Sequence, residues 1–242
     1  MRSLLPLKNV DPNRALIIYS GIMTVAVAWG LFSGAGTWPS SRFDVVDVHR
    51  INVRDADGTL RMVVASRDRF PGLYVHGKEQ QHRDRSDVAG LIFINEEGTE
   101  NGGLIFSGSN SKGKADSSGH LSFDQYDQDQ VVTLEQTEED GRRAAGLTID
   151  DRPDAAMNFD VMKQLESLPK AERAARQKEM RERGDFGYHR LFLGKTEDRD
   201  ALVALRDAKG HVRLRMRVTA AGTASIEFLD AAGNVVKTEG PG

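Results

Sequence analysis

The 242-residue chain contains no cysteine. Without cysteine there can be no disulfide, no thiol nucleophile, no cysteine-ligated zinc and no cysteine-linked lipid. The 33 basic and 36 acidic side chains nearly balance, for a net charge of -3. A dedicated nucleic-acid-binding protein carries a basic face or stripe, so we expect no nucleic-acid partner. The six histidines form neither an H-x-H nor an H-E-x-x-H pattern, so no zinc or other metal site is predicted.

Charge is also absent between Arg14 and Arg42, where the chain reads ALIIYSGIMTVAVAWGLFSGAGTWPSS. At about 1.5 Å per residue, a helix over residues 15–38 is long enough to cross a hydrocarbon layer of about 30 Å. A cleaved secretory signal is the alternative, but its apolar core has only about 7–15 residues. We therefore predict an uncleaved, single-pass transmembrane helix over residues 15–38, preceded by an N-terminal flank of residues 1–14.

The basic side chains around this segment bear on its orientation. By a small margin, the positive-inside rule favours a cytoplasmic N-terminus and an extracytoplasmic C-terminal domain. The expected location is therefore the cell (inner) membrane.

Beyond this segment, short alternating strands flank a repeated D-x-x-G pattern. It occurs in INVRDADGTLRMVV, VALRDAKGHVRLRMRV and IEFLDAAGNVV, and with asparagine in LIFINEEGTEN. Aspartate or asparagine at the first position can bond the backbone two residues on, and glycine at the fourth accepts a positive φ. The pattern predicts a mainly β fold of antiparallel hairpins or a meander, arranged as a sandwich, an open barrel or a stacked-hairpin array.

One segment departs from the β pattern. Residues 158–183 read as helix, interrupted near Pro169 and stopped at Gly184. The predicted organisation is thus a β-rich region over residues 39–154, a helical insertion over 155–184, and a C-terminal β-meander over 185–242 packed with the first β region.

Polar residues without counterparts in the repeats are the candidates for a binding site. They lie in TENGG and in SFDQYDQDQVV. We interpret SFDQYDQDQVV as one alternating strand, with Asp127 and Asp129 on one face and Asp124 on the other. The candidate ligand-binding residues are Glu100, Asn101, Asp124, Asp127 and Asp129. We expect no cofactor; Ca²⁺ held by Glu100, Asp127 and Asp129 is the alternative, because carboxylate oxygens suit that ion.

Several phrases occur in a distinctive order: VHRINVRDADGTLRMVVASRDRFPG, AGLIFINEEGTENGGLIFSG, LSFDQYDQDQVV, RRAAGLTIDDRPD and IEFLDAAGNVV. In this order the chain resembles a family of uncharacterised bacterial proteins that have one N-terminal span and a β-rich remainder. The resemblance implies a bacterial, envelope-associated protein. It brings no activity, ligand or catalytic residue.

These patterns predict a membrane-anchored, non-catalytic β-rich protein that binds or scaffolds a partner in the bacterial envelope. Its expected partners are the membrane and either another protein or a second copy, since exposed strand edges and small-residue spans both favour association. The alternative is a membrane-tethered hydrolase that uses acidic residues near Glu100, Asp124, Asp127 and Asp129 for acid–base chemistry.

Overall fold

The computed structural model describes residues 11–32, 42–82, 85–111 and 113–241. The chain divides into two compact units, residues 1–47 and 48–242. The described part of the first unit contains helix α1 (Pro12–Phe32). The described part of the second contains fourteen strands, helices α2 and α3, and a 3₁₀ turn at Arg67–Arg69.

Among the described residues, twelve strands form one antiparallel sheet in the order β1-β2-β5-β6-β7-β8-β9-β10-β11-β12-β13-β14, and β3 pairs only with β4. The bounds are β1 (Arg50–Arg54), β2 (Leu60–Ala65), β3 (Leu73–Val75), β4 (Lys78–Gln80), β5 (Ala89–Ile94), β6 (Glu100–Ser111), β7 (Lys114–Asp124), β8 (Gln130–Glu139), β9 (Arg142–Asp151), β10 (Tyr188–Lys195), β11 (Ala201–Arg206), β12 (Val212–Val218), β13 (Ala224–Leu229) and β14 (Val235–Glu239). The predicted mainly β fold of antiparallel strands is confirmed, and the strands follow one another as a meander in one large sheet.

The D-x-x-G turns join successive strands as predicted. In the turn between β11 and β12, the Gly210 N–H donates to the Asp207 carbonyl at 2.9 Å, and Gly210 has a φ of +78°. The Asp207 carboxylate accepts from the Lys209 N–H, also at 2.9 Å. The same backbone bond closes the turns at residues 55–58, 95–98 and 230–233.

The tightest core lies on one side of the first strands of the sheet. Val63 of β2 and Ile92 of β5 are directly paired and almost completely buried. The β3–β4 hairpin packs Tyr74 against them. The Gly77 N–H of this hairpin donates to the Gly98 carbonyl at 3.0 Å. The hairpin therefore covers one face of the sheet at its N-terminal end.

Two helices lie between β9 and β10: α2 (Phe159–Ser167) and α3 (Lys170–Arg183). The Asn158 side chain caps α2 by accepting from the Val161 N–H at 3.1 Å, and Gly184 ends α3 with a φ of +83°. The break between α2 and α3 at Pro169 is the predicted interruption, and Gly184 is the predicted stop. Strands β9 and β10 pair with each other directly, so the helices interrupt the chain without interrupting the sheet.

The predicted single strand over residues 122–132 is wrong. Strand β7 ends at Asp124 and β8 begins at Gln130, with a turn between them. In this turn the Gln128 N–H donates to the Gln125 carbonyl at 2.9 Å, and Asp127 takes a φ of +48°. The turn was missed because it makes the bonds of a D-x-x-G turn without its aspartate or glycine.

Helix α1 contains residues 15–32 of the predicted transmembrane segment, and residues 33–38 lie outside the described part of the chain. Asp11 caps the helix by accepting from the Asn13 N–H at 3.0 Å. Within the described residues, no helix combines the length and the apolar character that a membrane crossing requires.

Candidate functional site

The strand register places an apolar row across one face of the sheet. Directly paired residues in antiparallel strands point to the same face. One such row runs from β1 to β13 through Ile51, Val64, Leu91, Leu104, Leu121, Leu134, Leu147, Leu193, Val203, Met216 and Ile226. Every member is aliphatic or methionine.

A second row lies two residues away along each strand and therefore on the same face. It contains Val53, Met62, Phe93, Gly102, Phe123, Val132, Ile149, Leu191, Leu205, Leu214 and Phe228. The rings of Phe93 and Phe123 stack with centroids 6.1 Å apart. We call the face formed by these two rows the apolar face.

The apolar face is partly exposed, and its side chains range from partly buried to about half exposed. Leu134 is 53% exposed, Leu193 50% and Phe123 48%, whereas Val63 on the opposite face is 0% exposed. An apolar sheet face normally packs against a second layer. Among the described residues of unit 48–242, these exposures are those of a face without such a layer.

The borders of the apolar face carry charges of both signs. Along one border the Arg143 guanidinium lies 2.6 Å from the Glu138 carboxylate, and its hydrogen bond holds the pKa of Glu138 below the usual value. On edge strand β14, Lys237 lies 2.6 Å from Glu239. The Lys237 ammonium also sits 5.6 Å from the ring centroid of Phe228. The two uncharged rows are therefore bordered by pairs of opposite charges.

A group of acidic residues, the carboxylate cluster, lies on the opposite, polar face and consists of Glu100, Asp124 and Asp129. Arg85 forms an ion pair with Glu100. Arg152 lies 3.5 Å from Asp129. Arg152 also donates to the carbonyls of residues 130 and 186, at 2.6 and 2.7 Å. The two arginines therefore connect the cluster to neighbouring strands and loops.

Asp124 is the most perturbed member of the carboxylate cluster. Burial, and then the charges of Glu100 and Asp129, raise the pKa of Asp124 to about 7, although Arg85 and Arg152 act in the opposite direction. Its Oδ1 atom is buried without a hydrogen-bond partner among the described residues, as is Oε2 of Glu100. Such a carboxyl group can exchange a proton near neutral pH.

Access to the carboxylate cluster is limited. A cavity of about 500 Å³ between the two helices and neighbouring loops is lined by Asp129 and Arg152, but not by Asp124 or Glu100. The carboxyl group with the raised pKa therefore does not face this cavity. Asp124 itself is partly buried.

Three turns bring a histidine and two carboxylates together at one end of the sheet. The ligand atoms of His76, Glu97 and Asp127 lie within 4.8 Å of one another. His76 Nδ1 lies 3.3 Å from the Thr99 hydroxyl. Tyr126 donates a hydrogen bond to Glu97, which raises the pKa of Tyr126 to about 12. One nitrogen and two carboxylates are ligands that a divalent transition metal accepts.

The predicted site residues therefore fall into two places. Glu100, Asp124 and Asp129 come together in the carboxylate cluster, whereas Asp127 joins the three-turn group. The suggested Ca²⁺ ligand set of Glu100, Asp127 and Asp129 is thus not assembled. Asn101 follows Glu100 in β6, beside an irregularity in the pairing with β5, and is half-buried.

Sequence reasoning missed the apolar face. The alternation of apolar residues was visible in each strand, but only the pairing of twelve strands shows that the rows align. Comparison of the chain with protein-family models, with curated proteins and with solved structures found no match. The resemblance to a bacterial envelope family stays a prediction.

Proposed function

We propose that this protein is a non-catalytic binding or scaffolding protein of the bacterial envelope, and that the apolar face is its docking surface. The observation that carries the proposal is the pair of uncharged rows across eleven strands, whose side chains are partly exposed, up to 53% at Leu134. Exposed apolar surface of this extent marks interaction sites in soluble domains.

The size of the face supports this assignment. The face is eleven strands wide, at about 4.8 Å for each strand, and two rows deep, at about 7 Å for each row. Its area is therefore about 700 Å². The largest apolar patch on a typical monomer is about 300–600 Å². A standard protein interface buries about 800 Å² on each partner. The apolar face therefore has the area of a complete interface rather than of a scattered surface patch.

The proposal includes attachment to the inner membrane through α1 together with residues 33–38, with the sheet on the extracytoplasmic side. Exposed apolar side chains occur between Leu16 and Trp29 of α1, including Ile17 and Val25. The hydroxyl groups of Ser20 and Thr24 donate to carbonyls of the helix itself, Ser20 to Ile17 at 3.0 Å and Thr24 to Ser20 at 2.8 Å. Internal bonding of this kind suits a helix in apolar surroundings.

Membrane attachment has a direct test. If the tether is correct, the full-length chain stays in the pellet after membranes are washed with alkaline carbonate. Release of the intact chain into the supernatant would contradict the tether while leaving the docking surface untouched.

A membrane-tethered hydrolase is the second candidate, favoured by the pKa of about 7 at Asp124 between two other carboxylates. This carboxyl group could serve as a general acid. Its position away from the neighbouring cavity opposes that role. If hydrolysis of glycan, peptide or phosphoester substrates is detected, Asp124→Asn must abolish it for this candidate to stand.

The docking surface is tested by affinity capture of the full-length protein from detergent-solubilised membranes. Leu134→Lys places a charge in the centre of the apolar face. Ser109→Lys is the matched control, because Ser109 is exposed, lies in the same sheet and points to the polar face. We expect Leu134→Lys to lose bound protein that the wild type and Ser109→Lys retain. Equal capture by all three would refute the proposed function.

A further inference from the structure

We propose that the apolar face docks on a second copy of this chain, giving a face-to-face homodimer. This inference rests on the proposed function, since it names the partner of the same surface. The face is the same kind of surface throughout, apolar from β1 to β13. A two-fold interface requires a patch that complements itself, and an unbroken apolar patch satisfies that requirement.

Two twisted antiparallel sheets have a well-established way to pack. They lie about 10 Å apart with strand directions within about 30° of each other, and their inner side chains interdigitate. Two copies of the apolar face would bury about 1,400 Å² in total, which falls within the standard range of about 1,200–2,000 Å² for a stable interface. Within the described part of the chain, the twelve-stranded sheet supplies one such apolar face. A second chain would supply the missing layer.

Charge at the borders favours a second copy over a lipid surface. Binding to anionic lipids needs an excess of lysine and arginine around the apolar surface. Here two border cations form ion pairs with acidic neighbours, Arg143 with Glu138 and Lys237 with Glu239. Borders that carry both signs can approach each other across a two-fold axis without net repulsion.

The symmetry of such a dimer identifies a diagnostic position. The two-fold axis that relates two facing sheets lies in the plane between them. A strand near the middle of one sheet therefore faces the same strand, or the adjacent strand, of the other copy. Strand β8 is the sixth of twelve in the sheet order. Leu134 of β8 belongs to the apolar face and is therefore expected close to its own copy.

The test is the molar mass of the full-length protein in mild detergent, measured by light scattering with the detergent contribution subtracted. We expect twice the chain mass for the wild type and for Ser109→Lys. Leu134→Lys should be monomeric, with a dissociation constant raised at least about 100-fold, because each dimer would bury two unpaired ammonium groups. A wild-type monomer, or an unaltered dimer in Leu134→Lys, would overturn the inference.

A milder substitution guards against misfolding of the lysine variant. Because the chain has no cysteine, Leu134→Cys and Ser109→Cys each introduce a single thiol. A bismaleimide that spans about 10–15 Å should cross-link Leu134→Cys into a dimer across two sheets about 10 Å apart. It should leave Ser109→Cys monomeric. Equal cross-linking of both variants would contradict the proposed arrangement.

The failure of this inference is distinguishable from the failure of the proposed function. If the wild type is monomeric and captures a different protein that Leu134→Lys does not capture, the homodimer is refuted and the docking surface is supported. A monomeric wild type with no captured protein sensitive to Leu134→Lys would refute both. A dimer that persists in Leu134→Lys would place self-association at α1 or at a strand edge, and would also overturn the inference.

Discussion

Protonation of Asp124 makes the stability of the sheet depend on pH. Burial, with Glu100 and Asp129 nearby, raises the pKa of Asp124 from 3.8 to about 7 in the folded chain. A carboxyl group with a raised folded-state pKa contributes stability that is fully present below the unfolded pKa and is lost as pH rises through the folded value. The relevant window therefore runs from about pH 4 to about pH 7. Asp124→Asn removes this ionisation and keeps the shape of the side chain.

The size of the effect follows from the two pKa values. A change of one pKa unit corresponds to about 1.4 kcal/mol, so the change from 3.8 to about 7 corresponds to about 4 kcal/mol. The free energy of unfolding of the wild type should therefore fall, relative to that of Asp124→Asn, by up to about 4 kcal/mol between pH 4 and pH 8. Arg85 and Arg152 oppose the perturbation, so their replacement should enlarge the difference.

The assay is urea unfolding of both full-length variants in the same detergent at a series of pH values, followed by circular dichroism. Asp116→Asn is the matched control, since it makes the same change at an exposed position on the polar face. If wild type and Asp124→Asn show parallel pH profiles, the reasoning about burial and neighbouring carboxylates is refuted.

Three further substitutions test other parts of the fold by urea unfolding. Gly233→Ala should lower the free energy of unfolding by about 1 kcal/mol, because Gly233 has a positive φ. Gly98→Ala should lower it by about 2–4 kcal/mol, because its Cβ would also lie 2.5 Å from the Gly77 nitrogen. Equal losses in the two variants would contradict the packing of the hairpin on the sheet. Arg152→Ala should lower the free energy of unfolding by about 3 kcal/mol, because it breaks a buried ion pair and leaves two carbonyls without their donor. A loss below about 1 kcal/mol would show that Arg152 does not connect these elements. Asn158→Ala should lower the free energy of unfolding by about 1 kcal/mol, because it removes the cap of α2. Asn158→Asp should keep the wild-type stability. A loss of stability in both variants would refute the capping role.

The turns could be predicted because their chemistry is local. Asp207 and Gly210 make within four residues the bonds that define their turn, so the sequence pattern is sufficient. The turn at Gln125–Gln128 was missed because its backbone makes the same bond without those residues. Asp127 supplies the positive φ there, and one such residue gives no clear signal in a sequence.

The apolar face could not be predicted because it depends on register over many strands. Leu134 and Leu147 are thirteen residues apart, but Leu147 and Leu193 are separated by two helices and still pair through neighbouring strands. Only the length of each hairpin and the bulges that shift the pairing decide whether such residues align. The site residues show the same limit, since Asp124 and Asp127 are near in sequence but belong to different groups.

The most direct measurement of the docking surface is the rate at which a maleimide reagent modifies single cysteines in intact membranes. Leu134→Cys reports on the apolar face and Ser109→Cys on the polar face, in a chain with no other thiol. If the apolar face is covered by a partner, Leu134→Cys will react far more slowly than Ser109→Cys in membranes and will become reactive once the protein is dissociated in dilute detergent. Equally fast modification of both cysteines in intact membranes would show that the apolar face is free, and would contradict its role as a docking surface.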